Sequence, residues 1–253
     1  MSKTKKLALC FSGQPRFVQE CSKGIIENVI QDYDVDVFAH LWMDEDLQNK
    51  PYKYGGNGDW ENQRIQSNAI DQFNSLYNPV DCLVEPSKTF GDTELDQDFH
   101  LSLKKYWDGG EKEPDYQRRQ INNSLSYFYS LSEVNRIRKL YEYKNKIKYD
   151  YVIRCRTDSQ IHSAIKYENY EQQAVHCTST MQPPPFINDW FNFGGSEAME
   201  GFMGVFPLLR YLMLQTKYHR EGTWCIELVH IELLNTLGIP VERHPFSVTL
   251  PRF

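Results

Sequence analysis

The segment Arg154-Cys155-Arg156-Thr157-Asp158-Ser159-Gln160 sets two arginines and a carboxylate directly after an apolar run. Open α/β sheets bind ligands outside the carboxyl ends of their strands. An aspartate at such an end could hold a divalent cation that bridges two phosphates. The arginines could offset pyrophosphate charge, or orient the carboxylate by paired hydrogen bonds. Strand alternation puts Arg154 and Arg156 on one face with Arg156 nearer the tip, so Arg156 is expected to matter more to a ligand. The same residues also suit a structural arrangement, with Asp158 as a cap and one arginine in an ion pair.

Three further constellations carry chemistry. Ser12-Gly13-Gln14-Pro15-Arg16 ends the first apolar run. A short loop opening a helix presents backbone N–H groups to an anion, and Arg16 adds positive charge. In Asn188-Asp189-Trp190-Phe191-Asn192-Phe193-Gly194-Gly195-Ser196, the paired glycines allow close approach of a ligand. There Asp189 could act as a general base towards a hydroxyl, and Trp190 could stack on a sugar ring. Ser196 followed by Glu197 equally suits the start of a helix. In Trp224-Cys225-Ile226-Glu227-Leu228-Val229-His230, Glu227 and His230 lie one helical turn apart on one face, a spacing that could bind metal, move protons or be structural. No Gly-x-Gly-x-x-Gly and no P-loop lysine motif is present, which disfavours NAD and ATP enzymes of those kinds.

The elements that position these residues follow from hydrophobic spacing. Residues 6–11 form a buried strand, residues 17–30 a helix with apolar positions at helical spacing, and residues 35–42 a second strand. Strand, loop, helix, strand is the opening of a doubly wound parallel sheet. Residues 43–63 are polar and rich in Gly, Asn and Asp, and are expected to form a long loop acting as a lid or an acceptor loop. A helix over 65–76 leads to a third strand at 80–85, and residues 86–115 are expected to form an irregular lobe. Leu125, Phe128, Leu131, Val134, Ile137 and Tyr141 predict a long helix over 122–146, followed by a strand over 149–154. Pro183-Pro184-Pro185 marks a fixed loop. Helices are expected over 198–215 and 224–237, the second closed by Gly238, with an edge strand at 239–241.

Composition bounds the rest. The 253 residues suit one large α/β domain, and 40% hydrophobic with 25% charged residues is ordinary for a globular chain. Aromatics reach 14%, including 16 Tyr and 14 Phe, which supply either a Tyr-rich core or stacking faces. A net charge of -6, with no basic patch beyond Lys3, Lys5 and Lys6, argues against nucleic acid as partner. The first apolar run is too short for a secretory signal, and no stretch approaches the ~18 residues of a membrane span. The six cysteines are scattered without metal spacing, so reduced thiols and a cytoplasmic location are expected.

The order Ser-Gly-Gln-Pro-Arg, then Asp36-Val37-Phe38-Ala39-His40-Leu41-Trp42, then Tyr149 through Asp158, then Asp189 through Ser196, then Glu227 followed by Leu-Gly-Ile, resembles a family of glycosyltransferases. Its members occur in bacterial surface-polysaccharide clusters and in large viruses and phages. The resemblance covers nearly the whole chain and is strongest at the first strand and around Asp158. It implies a GT-A-like, Rossmann-type α/β fold with a mostly parallel sheet flanked by helices. It implies a single domain, with residues 1–160 as nucleotide-sugar half and 161–253 as acceptor half. Ser12, Gly13, Gln14 and Arg16, with Arg154 and Arg156, would line the donor; His40 and Trp42 stand at the tip of the second strand as further donor contacts. Asp158 would hold Mn2+ or Mg2+, although Asp158-Ser159-Gln160 replaces the usual Asp-x-Asp and leaves metal dependence open. Trp190, Gly194, Gly195 and Ser196 would meet the acceptor; an inverting reaction needs a general base, for which Asp189, then Glu227, is preferred, whereas a retaining reaction needs no dedicated base. The implied reaction moves a sugar from a nucleoside-diphosphate sugar to a glycan or other hydroxyl, as in polysaccharide biosynthesis. Two alternatives are a non-catalytic carbohydrate-binding or assembly protein on the same fold, and a transferase of another phosphate-activated group.

Overall fold

The computed structural model describes residues 5–49, 64–90, 114–179, 186–209, 211–212 and 226–251, with only the backbone for 114–121. Strand β1 (Lys6–Gly13) is an interior strand of the sheet, and its apolar run from Leu7 to Phe11 is fully enclosed. Leu7, Leu9 and Phe11 face one core while Ala8 and Cys10 face the other, as period-two alternation between two helical layers requires. On one side β1 pairs in parallel with β2 (Asp34–Trp42), which pairs in parallel with β3 (Asp81–Glu85). On the other side it pairs in parallel with β4 (Tyr151–Cys155).

Beyond β4 the direction changes. The short β5 (Gln160–Ile161) leaves the main sheet, and β6 (Val175–Thr178) and β7 (Phe191–Gly194) extend it. Strand β7 runs antiparallel to both β4 and β6, and β8 (Val241–His244) returns in parallel to β6 as the edge strand. The seven-stranded sheet has the order β3-β2-β1-β4-β7-β6-β8, a mostly parallel, Rossmann-like arrangement with one reversed strand. β5 pairs instead with β9 (Val248–Thr249) in a two-stranded sheet.

Helix α1 (Val18–Ile25) runs on into a π-helical turn, Ile26–Ile30, so the helix expected over 17–30 is present with a widened last turn. The expected loop at 43–63 contains α2 (Glu45–Asn49); residues 50–63 lie outside the described residues, as do 91–113 of the expected irregular lobe and the Pro183–185 run. α3 (Ala69–Tyr77) precedes β3. α4 (Pro114–Asn145) begins eight residues earlier than its hydrophobic spacing suggests, with Pro114 at its first position, where a missing N–H costs nothing. α5 (Ser196–Met203) stops at Gly204 and gives way to a 3-10 turn, Phe206–Leu208, containing Pro207, so the helix expected over 198–215 is interrupted. α6 (Ile226–Leu237) ends at Gly238, whose φ of 69° is the left-handed closure expected of it. α1 and α3 cover one face of the sheet; α4, α5 and α6 cover the other. Among the described residues no helix is long and apolar enough to cross a membrane.

Candidate functional site

The carboxyl ends of β1 and β4 lie side by side, and the side chains singled out in Ser12–Arg16 and Arg154–Asp158 meet there. Gly13 takes a φ of 114°, a conformation that carries the chain off β1 and that a side chain would strain. The turn closes on itself: the Arg16 amide donates to the Gln14 carbonyl at 2.9 Å, and the Arg16 guanidinium donates to Gln14 Oε1. Thr157 Oγ1 donates to the Gln14 carbonyl at 3.1 Å, which ties the tip of β4 to this turn.

Arg154 lies within β4, opposite Cys10 on one side and Asn192 on the other. Its side chain is 1% exposed. The guanidinium donates from Nε to Ser12 Oγ at 3.3 Å and lies 5.1 Å from the Tyr127 ring centroid, while Nη1 has no partner among the described residues. A buried cation with an unused donor is costly unless something else completes it. Arg156 follows the strand, its amide donating to the Trp190 carbonyl at 3.0 Å. Its guanidinium forks onto both carboxylate oxygens of Asp158, at 2.8 and 2.7 Å, and its Nη1 stands 3.5 Å from Asp189 Oδ2. Burial alone would push the Asp158 carboxyl up; the Arg156 fork, helped by Arg16, overcomes this and holds it below the usual range.

Reversal of β7 brings Asp189 and Trp190 to the same end of the sheet. β7 starts at Phe191, opposite Cys155, so the residues just before it sit beside the tip of β4. Asn188 shapes that approach: its side chain accepts from the Trp190 amide at 2.7 Å, and its carbonyl accepts from Asn192 Nδ2 at 2.8 Å. Glu227 opens α6, and its charge, like that of Asp189, bears on the buried Tyr127 hydroxyl. Tyr127 was not legible as a site residue, because it sits in the α4 periodicity beside Leu125 and Phe128; it carries the Arg154 guanidinium and stands 2.9 Å from His230 Nε2. His230 is enclosed and stacked on Phe202 at 4.0 Å. Burial, and after it the Arg154 charge, lowers its pKa to about 3, so it is neutral and supports Tyr127.

The other expected acceptor contacts lie elsewhere. Gly194, Gly195 and Ser196 are at the far end of β7, level with Val152, roughly 10 Å along the sheet from Phe191. The glycines serve the fold: a Cβ on Gly194 would meet the Ala174 carbonyl at 2.4 Å, and one on Gly195 the Gln172 carbonyl at 2.4 Å. Ser196 Oγ accepts from Arg138 at 3.1 Å. The same antiparallel run that delivers Asp189 to the site carries this triplet away from it. His40 is fully enclosed, with Nδ1 2.8 Å from Ser130 Oγ and Nε2 2.8 Å from Glu85 Oε2, and Trp42 packs against His40 and Tyr129. Both are joined to the fold rather than turned outward. A groove of about 1080 Å3 lined by Leu140, Gly201, Phe206, Leu208, Leu237 and Ile239 is apolar and shares no lining residue with the arginine cluster.

Mg2+ and Mn2+ are held mainly by oxygen ligands. Asp158 offers one carboxylate with both oxygens on Arg156; Ser159 Oγ donates to the Trp190 carbonyl, and Gln160 Oε1 accepts from Thr249. These residues do not fit a resident divalent cation. What they form is a charged cluster: Arg16, Arg154 and Arg156 beside a glycine turn, with Asp158 held by the Arg156 fork and Asp189 3.5 Å from the same guanidinium. No protein-family model matches the chain, and no curated protein matches it.

Proposed function

We propose that this protein is a glycosyltransferase of GT-A-like layout that moves a sugar from a nucleoside-diphosphate sugar to a hydroxyl acceptor. The observation that carries this reading is Arg154: a guanidinium 1% exposed, with Nη1 unpaired among the described residues, beside the Gly13 turn at the end of a parallel strand. A donor diphosphate supplies the acceptor oxygens that Nη1 lacks, and arginine matches phosphate geometry with a rigid fork. The bond between the anomeric carbon and the diphosphate oxygen breaks, and the leaving diphosphate keeps the electron pair. Arg154 and Arg16 stabilise the charge that grows there. The acceptor oxygen forms the new bond to the anomeric carbon, and its proton passes to Asp189, the carboxylate that β7 delivers to this end of the sheet. Arg156 holds Asp158 and Asp189 together and so sets the position of the base. A cytoplasmic setting, where sugar nucleotides are used as donors, and a glycan acceptor belong to the same proposal.

The engagement of Asp189 by Arg156 also favours a second reading, a protein that binds sugar nucleotide without transferring it. Thermal shift against UDP, GDP and their sugar conjugates, followed by a donor-consumption assay with the ligand that binds, tests both. Stabilisation with turnover supports transfer, and stabilisation without turnover selects the binding reading. A chain that no nucleoside diphosphate stabilises refutes both.

A further inference from the structure

At the opposite edge of the sheet from β3, three side chains converge that play no part in the arginine cluster. β6 and β8 run in parallel with His176 opposite Glu242, and Glu242 and His244, two residues apart, share a face of β8. Their ligand-type atoms form a triangle. His176 Nδ1 is 2.9 Å from His244 Nε2 and 3.3 Å from Glu242 Oε2, and His244 Nε2 is 3.7 Å from the same oxygen. A tetrahedral zinc ion with ligands at ~2.0–2.1 Å requires ligand-to-ligand edges of about 3.3 Å. The three edges bracket that value.

The orientation of the rings is set from outside the triangle. His176 Nε2 donates to the Glu171 carbonyl at 2.7 Å, which leaves Nδ1 with its lone pair directed at the other two groups. A backbone carbonyl on the distal nitrogen is how metal-ligating imidazoles are fixed in tautomer and direction. Phe193 stacks on His176 at 4.9 Å, and Tyr170 packs against both imidazoles at 5.1 and 4.8 Å, so neither ring turns freely. His176 is enclosed, whereas Glu242 and His244 are partly open, so the triangle has a dry floor and an open fourth side.

We propose that His176 Nδ1, Glu242 Oε2 and His244 Nε2 form a site for a divalent transition-metal ion of the zinc class, with a fourth position open to water. Two imidazoles among three ligands select this class over Mg2+ and Ca2+, which prefer oxygen. The ion would pin the edge strand β8 to β6. It would also steady the segment that follows, since Phe246 accepts from Thr178 Oγ1 at 2.7 Å and β9 pairs with β5, directly after Asp158.

The test is Zn2+ titration of the chelator-treated full chain, read by calorimetry and by the visible absorption of bound Co2+. The expected result is one Zn2+ per chain, a four-coordinate Co2+ spectrum and no competition from Mg2+. His244→Ala should weaken binding by more than the roughly 10–100-fold that loss of an outer-shell partner costs. Glu242→Gln, at a partly exposed position, repeats the test should His244→Ala fail to fold. Asp158→Asn should bind Zn2+ as the parent does. Failure of the parent chain to bind stoichiometrically, or undiminished binding in both ligand variants, overturns the proposal. So does loss of binding in Asp158→Asn alone, which would place the metal at the arginine cluster.

Discussion

Arg154→Met separates a side chain kept for a ligand from one kept for the fold. Among the described residues the guanidinium is enclosed, has one long hydrogen bond to Ser12 and leaves Nη1 without a partner. Removing an unsatisfied buried donor returns roughly 1–3 kcal/mol. Against that stand the Ser12 hydrogen bond, about 1 kcal/mol, and the contact with the Tyr127 ring, about 0.5–2 kcal/mol. A methionine thioether against the same ring recovers about 0.3–1.5 kcal/mol of the latter. These contributions nearly cancel, so the variant should unfold within about 1 kcal/mol of the parent, a shift of roughly 2–4 °C in Tm. Binding should respond differently. A charge-assisted hydrogen bond is worth about 1.5–3 kcal/mol, so nucleoside-diphosphate affinity should fall about 10- to 150-fold. Chemical denaturation and nucleotide titration on one preparation measure both quantities. A loss of about 3–5 kcal/mol in stability with unchanged nucleotide affinity would mean that Arg154 is a partnered structural ion, and the reasoning from its unpaired nitrogen would fail.

Asp158→Asn should cost about 2–3 kcal/mol in stability, less than a fully buried pair because Arg156 is 22% exposed, and should abolish transfer by releasing Arg156; urea midpoints and donor turnover report the two effects. Its folded carboxyl sits below the ordinary value of 3.8, so its contribution is full above that pH and is lost as pH falls through the folded value; the acid limb should flatten in the variant. Gly195→Ala places a Cβ 2.4 Å from the Gln172 carbonyl and should lower stability by about 1–3 kcal/mol without changing the specific activity of the folded fraction. A fall in specific activity would return Gly195 to the site. His230, neutral in the fold down to about pH 3, makes the chain lose about 1.4 kcal/mol per pH unit below 6.5, because only the unfolded state takes up the proton. In His230→Gln the stability difference between pH 7 and pH 5 should shrink by about 2 kcal/mol, read from denaturant unfolding at the two pH values.

Local pattern sufficed for the opening of the sheet and for two of its glycine turns. The enclosed run from Leu7 to Phe11, the apolar spacing of 17–30, the glycine at 13 and the glycine at 238 each state a backbone requirement that neighbouring residues meet, and the sheet opens as they require. The site at the carboxyl ends of β1 and β4 was expected from the general placement of ligands at strand ends, although β2 and β3 separate the two strands in the chain. The direction of β7 was not. Four residues, Phe191–Gly194, carry no mark of antiparallel pairing, yet that direction alone puts Asp189 beside Arg156 and takes Gly194, Gly195 and Ser196 away. The division of labour between the two arginines was equally hidden. Alternation gave Arg156 the position nearer the tip, but the side chain that reaches Asp158 is decided in three dimensions, and it leaves Arg154 with the unpaired nitrogen. The His176, Glu242 and His244 triangle joins residues more than sixty positions apart, with only the two-residue spacing on β8 visible locally. Strand direction and register are set by which faces bury against which helices, a property of the whole sheet, and a short segment holds no record of it.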